Sequence, residues 1–590
     1  MEIAGWAVLG LLLLGTLVGA VTLDRAKLPL LGDEATFAMQ AASLAWDFDL
    51  VYTRQDYDRF VGHWGTRPEG LILQSRRGSD RLVYGKPPLY ALVAAPFTRI
   101  APVRGPVIAN ALLLAAAALL AARALRGRLG AAAPLWVAAF VFASVAFAYV
   151  FWGDADLFMM AAVAAGFSLV YWGDRRYDRA EAEVPQIYQG EDVEPARGFL
   201  LRWLGVGALL GVAVAFRPFY LALAVPAALA AWSTPRRCRS ATAGLILGLI
   251  AVPLLSMGLQ WLAGGDPTGY GGQRQGIYAR EAFPEVGYPA GEWSDRVERE
   301  GNATWIQPEA VKPRPDPPAV IGWDIVYFLA GRNVGVLLYF LPLVLGFLAF
   351  QRDRGRWAIP LAVALVVLCL ILIRPFNFYG GGALGNRYFL PLYPALWFLA
   401  ARPARPILAV LVAGVAALFM TPLWMHPTAY PLGENGEPRH VSALARRYFP
   451  YETTQAAAPG QEVAVGGGLW VKLLTHTVYA GQGGALRVAG DSRAELLVGS
   501  PQPLESLHLE FDQRAPSRLA LGEEELRPFL LKPDGYVLFE VPLGEPRAVH
   551  PLWWTPYNYY LYEVDFRLPG APGQPIGLQI LPPRDLIQRR

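Results

Sequence analysis

Long apolar runs alternate with short polar links over the first three quarters of this chain. The runs fall at about 4–23, 105–122, 131–150, 157–172, 200–215, 218–232, 241–262, 324–350, 358–373, 388–400 and 406–424, and most approach the ~20 residues needed to span a bilayer. They predict about eleven membrane crossings joined mostly by short loops. One further run, 87–103, begins at Lys86-Pro87-Pro88 and carries Pro96 and Arg99. If it does not cross, the arginine-rich links all share one side: Arg123, Arg126 and Arg128; Arg175, Arg176 and Arg179; Arg236, Arg237 and Arg239; Arg352, Arg354 and Arg356; Arg402 and Arg405. Such loops belong in the cytoplasm. The run 87–103 therefore reads as a juxtamembrane or re-entrant helix. Residues 24–104 then form a first extracytoplasmic loop with juxtamembrane helices. After residue 425 the pattern changes. Short alternating runs such as 494–498, 507–511 and 535–541, separated by turn residues, predict a β-rich, sandwich-like domain over 426–590 on the extracytoplasmic side.

Composition agrees with the pattern. The chain has 590 residues, 54% of them hydrophobic and only 17% charged, where a soluble protein carries about 25% charge. The net charge of +4 comes from arginines between apolar runs, which suits membrane topology better than nucleic-acid binding. Two cysteines, Cys238 and Cys369, indicate neither a disulfide framework nor a zinc site. The first apolar run lacks a basic leader and a strong cleavage site, and it reads as a retained helix. The expected localisation is the cytoplasmic (inner) membrane, multi-pass.

Charge on the expected outer face is concentrated. Gly32-Asp33-Glu34 follows the first run and opens a short helix pattern with Phe37, Ala38, Ala41, Ala42, Leu44 and Ala45 on one side. The first outer loop adds Arg54, Asp56, His63, Arg67 and Lys86; the turn 151–156 adds Asp154 and Asp156; later turns add Arg217, Arg374, Asn386, Arg387 and Tyr388. Carboxylates suit activation of an acceptor hydroxyl, and Lys and Arg suit a phosphate leaving group. Each group also has a structural reading. Asp33 can cap its helix, Lys86 can snorkel to headgroups, the acidic turn can be solvated, and Arg217-Pro218 can mark a helix break. Gly380-Gly381-Gly382 permits close backbone approach. Asn302-Ala303-Thr304 fits a glycosylation sequon. The aromatic cluster at 553–561 suits either sugar stacking or a β-domain core.

The pieces Gly32-Asp33-Glu34-Ala35, Lys86-Pro87-Pro88-Leu89-Tyr90, Trp152-Gly153-Asp154-Ala155-Asp156 and Gly385-Asn386-Arg387-Tyr388-Phe389-Leu390-Pro391 together resemble the GT-C glycosyltransferases. Within them they are most similar to the protein O-mannosyltransferase and lipid A aminoarabinose transferase group. The resemblance covers residues 1–425, the expected catalytic domain. It implies inverting transfer of a sugar from a polyprenyl-phosphate donor to an acceptor hydroxyl on a protein, lipid or polysaccharide. It places Asp33 as the base, Glu34 as its companion, Asp154 or Asp156 as a second acidic site and Lys86 on the donor phosphate. Arg54, His63, Arg374, Arg387 and Tyr388 are further substrate-binding candidates, Arg387 from its charge and side. Some relatives use a divalent metal and others none, and no metal site is evident in this sequence. The long first loop departs from the pattern and leaves the acceptor open. A transporter of lipid-linked sugars is the alternative, although such proteins usually carry internal repeats and polar residues at mid-membrane depth. A non-catalytic membrane scaffold is the third reading.

Overall fold

The computed structural model describes residues 2–581, apart from 24–29, 76–80, 173–195, 233–237, 269–272, 278–316, 351–354, 375–377, 380–383, 401–404, 429–440, 453–460, 474–477, 481–485, 490–492, 513–517, 552–557, 570–574 and links of one or two residues. Arg67, the triple glycine, the sequon and the centre of the aromatic cluster lie outside the described residues.

The chain is mostly helical up to residue 425 and β-rich beyond it. Among the described residues, five helical stretches are long and apolar enough to cross a membrane: Glu2–Thr22, Gly105–Phe142, Gly198–Phe216, Arg239–Leu262 and Pro406–Met425. Their outer faces carry exposed leucines and isoleucines such as Leu11, Leu14, Ile250, Leu254, Leu411 and Leu418, a surface that lipid covers without cost. Five apolar helices are shorter. The expectation of about eleven continuous crossings is thus met only in part. Prolines and glycines account for much of the difference. The run 324–350 is interrupted at Gly331, Gly335 and Pro342 into Pro317–Ala330, Val336–Tyr339 and Leu343–Leu348. The run 388–400, with Pro391 and Pro394, keeps only Tyr393–Trp397 helical. Proline removes a backbone donor and crowds the preceding turn.

We label the helices that frame the site α1 (Glu2–Thr22), α2 (Asp33–Trp46), α3 (Arg54–Trp64), α4 (Leu89–Ile100), α5 (Gly105–Leu129), α6 (Ala133–Phe142), α7 (Asp156–Val170) and α8 (Ala196–Phe216). At 12 residues, α4 is about 18 Å long. That is short of the ~30 Å hydrocarbon core, and α4 packs on α2 and α5. The long helix Cys238–Leu262 lies along α8. A Cβ on Gly211 would meet the Gly248 carbonyl at 3.0 Å, and one on Gly244 would meet the Leu204 nitrogen at 2.9 Å. Gly207, Gly211, Gly244 and Gly248 give each helix a pair of glycines four apart, the small-residue seam that lets membrane helices approach closely.

A small antiparallel sheet covers α2. Its strand β1 (Leu71–Ser75) sits between β2 (Val83–Tyr84) and β3 (Gln273–Ile277), so segments nearly 200 residues apart share one sheet. Thr36 accepts from the Ile72 backbone N–H at 2.9 Å and ties β1 to α2.

The C-terminal region consists of two antiparallel sheets. One runs Glu524–Leu526, Leu519–Leu521, Asn558–Arg567, Arg493–Ser500, Leu469–Leu473, Gln461–Gly466, with Ala548–Pro551 also pairing to Asn558–Arg567. The other runs Leu530–Leu531, Val537–Pro542, Ser506–Phe511, Pro575–Leu581, Leu486–Ala489, Val478–Ala480. Val498, Val564 and Phe566 from the first share one buried core with Leu509, Phe539 and Ile576 from the second. Alternating inward residues on both sheets produce that face-to-face packing.

Candidate functional site

Asp33 is the first residue of α2. It does not cap the helix, because the N-cap is Gly32, at φ +57°, a conformation glycine adopts without strain. The Asp33 carboxylate is therefore free to face across the bundle. It meets Lys86 Nζ at 2.6 Å and the Arg387 guanidinium. Lys86 is delivered by β2 and by Pro87-Pro88 at the head of α4. Gly85 N–H donates to the Ile72 carbonyl at 2.9 Å, and Gln40 donates to the Lys86 carbonyl at 3.0 Å, fixing both sides of the lysine. The snorkelling alternative is not what the structure shows, since Lys86 is buried against Asp33.

Arg387 connects the acids. Its Nη1 is 3.4 Å from Asp154 Oδ2, and its Nε is 3.0 Å from Asp156 Oδ2. The Nε–H is not aimed at that oxygen, so the second contact is an ion pair without an aligned hydrogen bond. Asp156, fully buried at the start of α7, also takes Arg217 Nη1 at 2.5 Å. Arg217 sits where α8 ends, with its guanidinium 4.3 Å from the centre of the Tyr388 ring. The Tyr388 hydroxyl accepts from Arg374 at 3.1 Å. Glu34 is turned to the acidic turn itself and accepts from the Gly153 N–H at 2.6 Å.

Asp33, Glu34, Asp154, Asp156, Lys86, Arg374, Arg387 and Tyr388 thus gather at one end of the helices, drawn from positions spread over most of the membrane region. Arg54 and His63 do not join them. Arg54 is exposed on α3 and pairs with Asp58 one turn on at 3.0 Å, while His63 lies beside Trp46. Arg217 belongs to the cluster, although its sequence context suggested a helix break. The available signal was an arginine directly before the proline that ends a long apolar helix.

The two key carboxyls differ electrostatically. Burial works to raise Asp33, but Lys86 and Arg387 outweigh it and hold the carboxyl well below the usual range. Burial pushes Asp154 up to about 8; Asp156 and Asp33 add to the rise, and Arg387 and Lys86 oppose it. Three acids, Asp33, Asp154 and Asp156, face three cations, Lys86, Arg217 and Arg387, with Glu34 on the Gly153 N–H and Arg374 on the Tyr388 hydroxyl beside them. Among the described residues, no group of His, Cys, Asp or Glu is arranged to hold a metal ion. The carboxylates already face Lys86, Arg217 and Arg387, a donor set that does not fit a divalent ion.

Family models, curated proteins and solved structures give no match to this chain.

Proposed function

We propose that this chain is a membrane glycosyltransferase that moves a sugar from a polyprenyl-phosphate donor to an acceptor hydroxyl at the extracytoplasmic face of the cytoplasmic membrane. The observation that carries the reading is the Asp33–Lys86 contact at 2.6 Å, with Arg387 shared among Asp33, Asp154 and Asp156. The positions of the arginine-rich links favour an outward-facing cluster.

The chemistry follows from competition for cations. A donor phosphate draws Lys86 and Arg387 away from Asp33, and the Asp33 carboxylate recovers its basicity. The acceptor oxygen attacks the anomeric carbon from the face opposite the phosphate. The new C–O bond forms as the old one breaks, and its electron pair leaves on the polyprenyl phosphate. Asp33 takes the hydroxyl proton. Configuration inverts because attack and departure occur on opposite faces. Asp33→Asn tests the reading. Mass spectrometry of envelope glycans should show one sugar modification lost with this variant, as with deletion of the protein. Retained modification would overturn the mechanism, and a transporter would have no such need for the acid.

A further inference from the structure

Another buried acid lies behind the site. Glu452, 1% exposed, follows the short helix Ala443–Tyr448 at the entrance to the β region. One of its oxygens accepts from the Asn333 N–H at 2.8 Å and the Val334 N–H at 3.0 Å; the other accepts from Asn333 Nδ2 at 2.6 Å. Burial pushes its carboxyl up, and these donors oppose that. The turn it grips, 331–335, is held to the β region twice more. Arg332 N–H donates to the Pro450 carbonyl at 2.9 Å, and Arg332 pairs with Glu563 of the strand Asn558–Arg567 at 2.7 Å.

The same turn reaches the charged cluster. The Asn333 carbonyl accepts from the Gly385 N–H at 2.7 Å. Gly385 has φ +70°, and a Cβ there would meet Val145 at 2.8 Å, so only glycine fits. Asn386 then accepts from the Tyr388 and Phe389 N–H groups at 3.0 Å each, forming the bend that presents Arg387. We propose that Glu452 is a positioning residue for Arg387, acting through Asn333 and Gly385, so that the β region helps set the phosphate-binding arginine. The inference rests on the reading of Arg387 as a phosphate contact.

The test uses full-length protein in lipid nanodiscs and a long-chain polyprenyl phosphate alone as the probe. Glu452→Ala should weaken binding about tenfold in an otherwise unchanged protein and less than about twofold in an Arg387→Ala background, the non-additivity of groups acting in series. Glu452→Gln, which still accepts from both backbone N–H groups, should bind nearly as the parent does. Equal losses in both backgrounds, or no loss from Glu452→Ala, would overturn the inference. A second readout does not depend on phosphate: the infrared carboxyl band of Asp154, identified by its loss in Asp154→Asn. Displacing Arg387 removes a cation beside Asp154, so Glu452→Ala should raise its midpoint above about 8, and a merely structural Glu452 would leave it in place. If Arg387→Ala binds the probe normally, the phosphate reading fails, and the infrared midpoint alone decides the positioning. Should Glu452→Ala not fold, Glu452→Asp, whose shorter side chain draws the carboxylate back from the Asn333 and Val334 N–H groups, is read in the same way.

Discussion

Helix α2 carries a charged cluster at each end, and the two are built on different plans. At its C-terminal end, Arg59 gives Asp47 a bidentate pair at 2.6 and 2.8 Å and lies 3.2 Å from Asp56. Asp56 also accepts from the Thr53 N–H and hydroxyl at 2.9 Å, within a capping box that starts α3. Every member comes from residues 47–59, and each carboxylate has well-aligned donors. At the N-terminal end, the members come from positions 33, 86, 154, 156, 217 and 387. There Arg387 is shared by three acids, and one of its contacts is misaligned. A local cluster can be satisfied completely and serves the fold. A cluster gathered from distant positions is less completely satisfied, and the proposed function has its cations meet an incoming anion.

The largest expected effect breaks the comparison at Asp33. Asp33→Asn should lower sugar transfer by about 10²–10⁴-fold, the worth of a positioned base. It should leave affinity for polyprenyl phosphate intact or tighter, because the carboxylate competes with phosphate for Lys86 and Arg387. Transfer rate and phosphate binding, measured on one preparation, separate the two effects. Unchanged transfer would remove Asp33 from the chemistry.

Next comes Arg387→Ala. Truncating one partner of a buried charge set costs about 2–5 kcal/mol, or roughly 30- to several-thousand-fold in phosphate affinity. Arg387→Lys should recover only part, since one ammonium cannot replace the guanidinium fork. Calorimetric titration with polyprenyl phosphate reads both. The matching change at the other end is Arg59→Ala. It should destabilise the fold by about 1–3 kcal/mol, because buried Asp56 loses a donor while Asp47 keeps access to water. Phosphate affinity of the folded protein should not move. A thermal melt unchanged from the parent would contradict the assignment of that end to structure.

How far the sequence foretold these clusters depends on the same contrast. Gly32-Asp33-Glu34 and Lys86-Pro87-Pro88 were legible because each sits beside a landmark, the end of an apolar run or a proline pair. Their meeting at 2.6 Å is a tertiary event that spacing does not encode. Arg217 was readable equally as a helix break. Arg54 and His63 share the stretch between α1 and α4 with Lys86, but the amphipathic turn of α3 exposes them to solvent. Helix continuity was over-read where Pro342, Pro391 and Pro394 interrupt apolar runs, since hydropathy alone is blind to a missing backbone donor. Glu452 was invisible, because a lone acid before a β region carries no pattern.

The smallest effects come from pH, which should separate the two ends without mutation. Asp154 sits at about 8, so it is protonated at neutral pH and ionises above it. Ionisation adds a negative charge beside Arg387, and phosphate affinity should fall as pH rises through about 8, by about tenfold for a change of one unit charge near the site. Asp154→Asn should flatten that dependence. Asp56 behaves differently. Burial, opposed by its Thr53 hydrogen bonds, lifts it from 3.8 to about 6 in the folded protein. Because the folded state holds that proton more tightly, the stability it contributes is fully present below about 4 and lost as pH rises through about 6. Asp56→Asn should remove this slope from thermal melts between pH 4 and 6, with no change in the phosphate titration near 8. If one substitution flattened both profiles, the two ends of α2 would be a single coupled network, and the division into a structural end and a chemical end would fall.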